Sequence, residues 1–270
     1  MVRQVTYPKI SVIVPSYNQG QFLERSLRSV LDQGYPNLEL IVIDGGSTDH
    51  SVAILQAHTP HLAYWVSEPD GGQTNGLIKG FTQASGEIWC WLNSDDLHMP
   101  NTLREVADCF RKYPDVDAIF GDTVWIDERG TPLRVQREIP FNRFVWMYTH
   151  NYIPGMSMFW RKQLYQKSEG LNPEYNLAMD ADLWIRFADR GRLKHVRAVW
   201  SQMRFYPEQK NRRLRDKSDA EDLKIRARYW SSTTPPLYRL KSCIAQSIRI
   251  AWKFGTGCYP MGYQRYLEKT

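Results

Sequence analysis

The chain has 270 residues, 42% apolar and 24% charged, which suits one large folded domain with a sizeable core, or a domain plus an appendage. Its four cysteines (Cys90, Cys109, Cys243 and Cys258) show no C-x-x-C spacing and no accompanying His cluster, which argues against a thiol–metal site and a disulfide framework. The net charge of +6 is uneven: residues 201–270 carry 15 basic and 6 acidic side chains, an asymmetry that points to a polyanionic partner such as a membrane surface, a pyrophosphate-bearing substrate or a nucleic acid.

Strand and helix patterns alternate through the first half. Ile10–Val14 is a short β-branched run that reads as a buried strand. Phe22, Leu23, Leu27, Val30 and Leu31 recur at helical spacing and predict a helix over Gln19–Gln33. Leu38–Ile43 is a second buried strand, and Ser47-Thr48-Asp49 offers an N-cap for a helix running to about Ala57. A third strand over Leu62–Val66, a helix over Asn75–Ala84, a fourth strand over Glu87–Leu92 and a helix over Asn101–Lys112 follow. This rhythm predicts an α/β fold with a mostly parallel central sheet and helices on both faces.

After Val116–Phe120 the pattern becomes mixed. Thr123–Ile126 and Leu133–Gln136 flank the turn Glu128-Arg129-Gly130, Met156–Trp160 reads as a further strand, and Asp180–Asp189 as a short helix. These elements extend the same sheet and do not form a second domain. The hexapeptide Ser231-Ser232-Thr233-Thr234-Pro235-Pro236 is the best boundary, giving a main domain over 1–230 and a basic helical extension over 231–270. In that extension Leu237, Leu240, Ile244, Ile248, Ala251 and Trp252 form an apolar stripe, with Arg239, Lys241, Arg249 and Lys253 mostly off it. Two readings are open: a helix lying in a membrane interface, or one docked on the body of the protein. No apolar stretch approaches the roughly 18 residues of a spanning helix. The start, Met1–Lys9, has no secretory h-region. A cytoplasmic protein, peripheral on the membrane at most, is the expectation.

Ligands of open α/β sheets bind outside the carboxyl ends of the strands. Here the four strand ends lead into Pro15-Ser16-Tyr17-Asn18, Asp44-Gly45-Gly46-Ser47, Glu68-Pro69-Asp70-Gly71-Gly72 and Asn93-Ser94-Asp95-Asp96. A lone Asp after a strand usually starts a turn or caps a helix. Three acid-bearing ends out of four describe one acidic crevice. Asp95-Asp96 is the sharpest element, because adjacent carboxylates repel unless a cation or donors compensate. A hard divalent ion, Mn²⁺ or Mg²⁺, takes few protein oxygens and completes its shell from water and phosphate oxygens.

Three segments together, Ile10-Ser11-Val12-Ile13-Val14-Pro15-Ser16-Tyr17-Asn18, Leu40-Ile41-Val42-Ile43-Asp44-Gly45-Gly46-Ser47-Thr48-Asp49 and Leu92-Asn93-Ser94-Asp95-Asp96, resemble the family 2 glycosyltransferases of GT-A fold in both order and spacing. The likeness runs from about Lys9 to Arg204. It implies a nucleotide-base pocket at Pro15, Tyr17 and Asp44, contacts to the nucleotide and its phosphates at Asn75 and Lys79, a ribose contact at Asp95, and the metal ligand of the D-x-D motif at Asp96. It also implies that Asp180, in Met179-Asp180-Ala181-Asp182-Leu183-Trp184, is the catalytic base of the family's E-D motif. Met179 stands where the family has Glu. Asp182 reads instead as a first-turn helix acid.

Two further departures matter. Tyr206 stands at the position of a His that many relatives carry after the last core strand, which leaves Arg204 or Lys210 to serve the phosphates. Arg226-Ala227-Arg228-Tyr229-Trp230 is only a faint echo of the Q-x-x-R-W motif of processive synthases. The resemblance therefore implies an inverting, single-addition transferase. Its donor is a nucleotide-diphosphate sugar, a UDP-sugar first, and its acceptor a glycan or a lipid-linked hydroxyl. Polysaccharide or lipid-linked glycan assembly, without a nucleic-acid partner, is the expected setting. The rivals are a sugar-phosphate nucleotidyltransferase, which wants a Gly-rich basic loop where Pro15–Gly20 has none, and an inactive nucleotide-sugar-binding module.

Overall fold

In a computed structural model, residues 6–230 and 237–258 are described. The boundary hexapeptide 231–236 lies outside the described residues, as does the end of the chain from 259.

The first half follows the alternation read from the sequence. β1 (Ile10–Ser16), α1 (Gly20–Leu31), β2 (Leu38–Asp44), α2 (Ser51–His58), β3 (Tyr64–Ser67), α3 (Gln73–Gln83) and β4 (Ile88–Trp91) come in that order. Then follow the two-residue β5 (Leu97–His98), α4 (Thr102–Lys112), β6 (Ala118–Ile126) and β7 (Pro132–Gln136). β6 is one continuous strand where the sequence suggested two. The second half adds α5 (Arg143–Tyr148), β8 (Met158–Arg161), α6 (Lys162–Lys167), α7 (Met179–Arg190), the long β9 (Leu193–Arg204), α8 (Lys210–Arg213), α9 (Arg215–Ala227) and α10 (Tyr238–Gly255).

These strands form one sheet in the order β3-β2-β1-β4-β8-β6-β9-β5, with β7 paired on β6. The pairs β3–β2, β2–β1, β1–β4 and β6–β9 are parallel, and those made by β5, β7 and β8 are antiparallel. The chain winds outward from β1 to β3 and then returns to the other side of β1. The order reverses there, so a crevice opens at the carboxyl ends of β1 and β4.

The core explains the many aromatic residues. Trp91, Trp146, Trp160, Trp184 and Trp200 are fully buried. Trp91, at the end of β4, stacks on Trp184 of α7 with ring centroids 5.1 Å apart and planes 9° from parallel. These indoles are packing groups and not exposed sugar platforms. Beneath the parallel half, Glu39 accepts hydrogen bonds from Ser11 and Ser85 and an ion pair from Lys9 at 2.6 Å. Burial works to raise its carboxyl, but these donors outweigh it and hold the group at about 2.

Candidate active site

The loops after β1 and β2 are stitched together. Asn18, in the left-handed conformation at φ +51°, donates its N–H to Ser47 Oγ at 2.7 Å and accepts from Thr48 N at 2.8 Å through its side chain. Asp49 Oδ2 accepts from Gly20 N and Oδ1 from Ser51 N, so one carboxylate serves the starts of both α1 and α2. This geometry leaves Tyr17 62% exposed at the rim, while Pro15 stays buried inside β1. Asp44 is fully buried at the end of β2 and accepts from Ser47 N, Ser47 Oγ and Ser67 Oγ. On α3, Asn75 is exposed in the first turn, and Lys79 one turn later pairs with Glu68.

The acid pair sits just past β4. Asp96 is 1% exposed, and both of its oxygens are engaged: Oδ1 accepts from Arg204 N at 2.7 Å and Oδ2 from Asn93 Nδ2 at 3.0 Å. Asp95 is half-buried and accepts from Tyr206 Oη at 3.0 Å through Oδ2. Burial pushes both carboxyls up. Asp96 rises well above the ordinary range because the Asp95 charge adds to its burial. Among the described residues, no three His, Cys, Asp or Glu side chains converge on one point, so the protein's offer to an ion is this pair of hard oxygens. That suits a divalent ion completed by water and diphosphate oxygens.

Of the two bases left open for the phosphates, Arg204 is engaged mainly by the protein itself, with only its Nη2 left without a partner. It is wholly buried, stacks over Phe22, and donates to the carbonyls of Asp95, Asp127 and Glu128. Lys210, at the start of α8, lies at the crevice. Its Nζ donates to Asn176 O at 2.8 Å and Gln73 Oε1 at 3.3 Å. Gln73 Nε2 donates to Asn93 Oδ1, and Asn93 in turn to Asp96. Burial lowers the Lys210 ammonium. One polar chain thus joins the loop after β9 to the first turn of α3 and to the acid pair.

Asp180 occupies the first turn of α7, half-buried. Its Oδ1 accepts from Ala181 N at 2.8 Å and its Oδ2 from Asn151 Nδ2 at 2.9 Å. Burial is the largest influence and pushes its carboxyl up to about 6, against the Ala181 hydrogen bond and with help from the Asp222 charge. The neighbouring Asp182 is buried and paired with Arg186, as expected of a structural acid. The Trp91–Trp184 stack ties α7 to β4, so the segment bearing Asp180 and the strand leading to Asp95 share one packing unit.

The family's sequence profile, described as glycosyl transferase family 2, matches residues 11–168. The chain belongs to that family. An uncharacterized glycosyltransferase of Mycobacterium tuberculosis strain H37Rv is 32% identical over 183 residues, covering 67% of this chain and 69% of its own. One from Rickettsia conorii is 26% identical over 214 residues, of which this chain spans only 35% of the relative. Among solved structures, Staphylococcus aureus TarS 1–349 in complex with UDP aligns at TM-score 0.62 and 20% identity, over 81% of this chain and 64% of that one. The mannosyltransferase PcManGT from Pyrobaculum calidifontis, in complex with GDP-Man and Mn²⁺, aligns at 0.63 and 19%, over 96% and 82%. These two likenesses bear on the fold, which is the GT-A arrangement of this glycosyltransferase family.

Three residues around the family 2 site carry no local sequence signal. Asn151 lies 29 positions before the carboxylate it contacts. Glu221, on α9, accepts from the main-chain N–H groups of Asn176, Leu177 and Ala178 and so fixes the approach to α7. Gln73 opens α3 with no charged neighbour to mark it. The echo Arg226-Ala227-Arg228-Tyr229-Trp230 is structural: Arg226 is buried against Trp146 and Asp222, and Arg228 pairs with Glu174.

Proposed function

We propose that this glycosyltransferase transfers a sugar, with inversion and one residue at a time, from a nucleotide-diphosphate donor, UDP-sugar first, to a glycan or lipid-linked hydroxyl. The observation that carries the reading is Asp180. A half-buried carboxylate pushed up to about 6 at the start of a helix suits a general base, which must hold a proton loosely enough to release it near neutrality. Direct inversion needs one such base, poised to take the acceptor hydroxyl's proton as its oxygen attacks the anomeric carbon. Asn151 orients the carboxylate.

On the donor side, Tyr17 offers an exposed ring at the nucleotide rim, with Asp44 holding the loop beneath it and Asn75 and Lys79 on the adjoining helix face. Lys210 supplies positive charge for the diphosphate. The acid pair suits Mn²⁺ or Mg²⁺, and the geometry favours Asp95 as the oxygen donor because both oxygens of Asp96 are already engaged. We therefore take Asp95, one residue before the Asp96 that the motif implies, as the proposed ligand. A bound ion would supply Lewis-acid neutralisation of the leaving diphosphate. Polysaccharide or lipid-linked glycan assembly in the cytoplasm is the setting that this chemistry and the basic C-terminal segment favour.

The test is incubation with a panel of UDP- and GDP-sugars and Mn²⁺, followed by NMR of the product's anomeric centre. Transfer with inverted configuration is expected. Retention overturns the mechanism, and pyrophosphate release from a nucleoside triphosphate and a sugar phosphate favours the nucleotidyltransferase rival.

A further inference from the structure

A surface helix normally turns its apolar stripe to the core and its charges to water. α10 does the opposite. The row facing the protein is Lys241, Ala245, Arg249 and Lys253: Ala245 is fully buried, Lys253 is 3% exposed, and Lys241 lies over the Tyr148 ring of α5 at 5.4 Å. Arg249 and Lys253 both reach the buried Glu138, at 2.6 and 3.0 Å. The adjacent row, one residue earlier at each turn, is Leu240, Ile244, Ile248 and Trp252, and these side chains are 54, 44, 37 and 41% exposed. The helix is docked on the body, and the docking through Glu138 fixes the apolar row outward.

We propose that this outward face of α10 seats the protein on the surface of an anionic lipid bilayer. The reason is charge. The 18 residues of α10 hold no Asp or Glu; of its cations Arg239 is exposed while Lys241, Arg249 and Lys253 turn to the body, and residues 201–270 as a whole carry 15 basic side chains against 6 acidic. A second copy of the same face brings no counter-charge to it, and the chain end, with Arg265 and Lys269 against the single acid Glu268, is net positive. Anionic headgroups supply that counter-charge, and an apolar row one helix long matches the shallow acyl boundary that an interfacial helix occupies. The N-terminal end of α10 adds interfacial aromatics: Tyr238 packs on Tyr148 and Trp230, and Phe144 of α5 packs on Tyr148.

The placement has a consequence for the acceptor. Arg249 contacts His150 Nε2 at 3.0 Å and lies over Tyr152 at 5.2 Å, and these residues flank Asn151, the partner of Asp180. A bilayer on the outward face of α10 would lie about one helix diameter, roughly 10 Å, from the segment that orients the base, which favours an acceptor hydroxyl presented from a lipid. This consequence rests on the assignment of Asp180; the docking itself does not.

The experiment is co-flotation of the full chain with vesicles of phosphatidylcholine alone and of phosphatidylcholine with phosphatidylglycerol, beside the double variant Ile244→Glu/Ile248→Glu. Both side chains are exposed, so the variant keeps its circular dichroism and Tm. The wild type is expected to float with the anionic vesicles, less so as salt rises, and the double variant to bind at least about tenfold more weakly. The proposal is overturned if the wild type stays with the soluble fraction, if the double variant floats equally well, or if ultracentrifugation shows a dimer that the double variant splits. Vesicle binding needs no donor, so its failure is distinct from a failure to transfer sugar.

Discussion

The phenol of Tyr206 donates to Asp95 Oδ2 across 3.0 Å. It stands beside the main-chain N–H of Arg204, which holds Asp96. The two adjacent acids are therefore unequal: one is half-buried with a single side-chain partner, and the other is sealed in with both oxygens engaged.

From that inequality the pair should separate under mutation. Asp96→Ala leaves the buried Arg204 N and the half-buried Asn93 Nδ2 without their acceptor, and should cost about 2–3 kcal/mol in denaturant unfolding. Asp95→Ala should cost less than Asp96→Ala, since it loses only the one side-chain hydrogen bond from Tyr206, yet should abolish Mn²⁺-dependent nucleotide binding measured by calorimetry. If Asp95→Ala binds Mn²⁺ and nucleotide like the wild type, the ligand assignment is wrong.

Asp180 should set the acid limb of the rate. With its carboxyl at about 6 in the free protein, the ionised base is depleted below that pH, and kcat/KM should fall about tenfold per pH unit there. Asp180→Asn should stop transfer while nucleotide binding persists. The same shift has a stability consequence. The folded chain binds this proton more tightly than the unfolded chain does, so the group's stabilising contribution is full below about 4 and disappears as pH rises through 6. Asp180→Asn should then be more stable than the wild type at pH 7, by about 1–2 kcal/mol. Equal stability at pH 7, together with a rate profile flat from pH 5 to 7, refutes the shifted base.

Lys210 and Gly72 meet at Asn176. Gly72 sits at φ +122°, and a Cβ there would come within 2.4 Å of Asn176 Nδ2, so Gly72→Ala must move the side chain that borders Lys210. Lys210→Ala should raise the KM for donor about tenfold or more, with a smaller effect on the acceptor KM. Gly72→Ala should shift the donor KM in the same direction, with a stability cost of about 1–3 kcal/mol. A change confined to the acceptor KM contradicts the diphosphate role.

Glu138 holds α10 to the body through the buried Lys253 and the half-buried Arg249. Glu138→Ala leaves Arg249 and Lys253 without their carboxylate and should destabilise by about 3–5 kcal/mol. Hydrogen exchange should speed up first over residues 238–255. Unchanged protection of α10 in that variant means that the helix is held by packing alone.

The sequence determined the alternating first half and the acidic strand ends. Both are written in local patterns: β-branched runs, helical apolar spacing, and turn-forming Asp and Gly placed directly after each strand. The short helix that carries Asp180 was also legible, from its apolar spacing. Tertiary structure decided the rest, because partners far apart in the chain carry no local period. Asn151 finds Asp180, and Glu221 caps the approach to α7, only once α7 and α9 are packed. The two acids look alike in Asn93-Ser94-Asp95-Asp96, yet Arg204, more than a hundred residues later, closes one of them off. The stripe on α10 could be read from spacing, but its direction could not. Hydrophobicity alone would have turned it inward, and the buried charge of Glu138 turned it out.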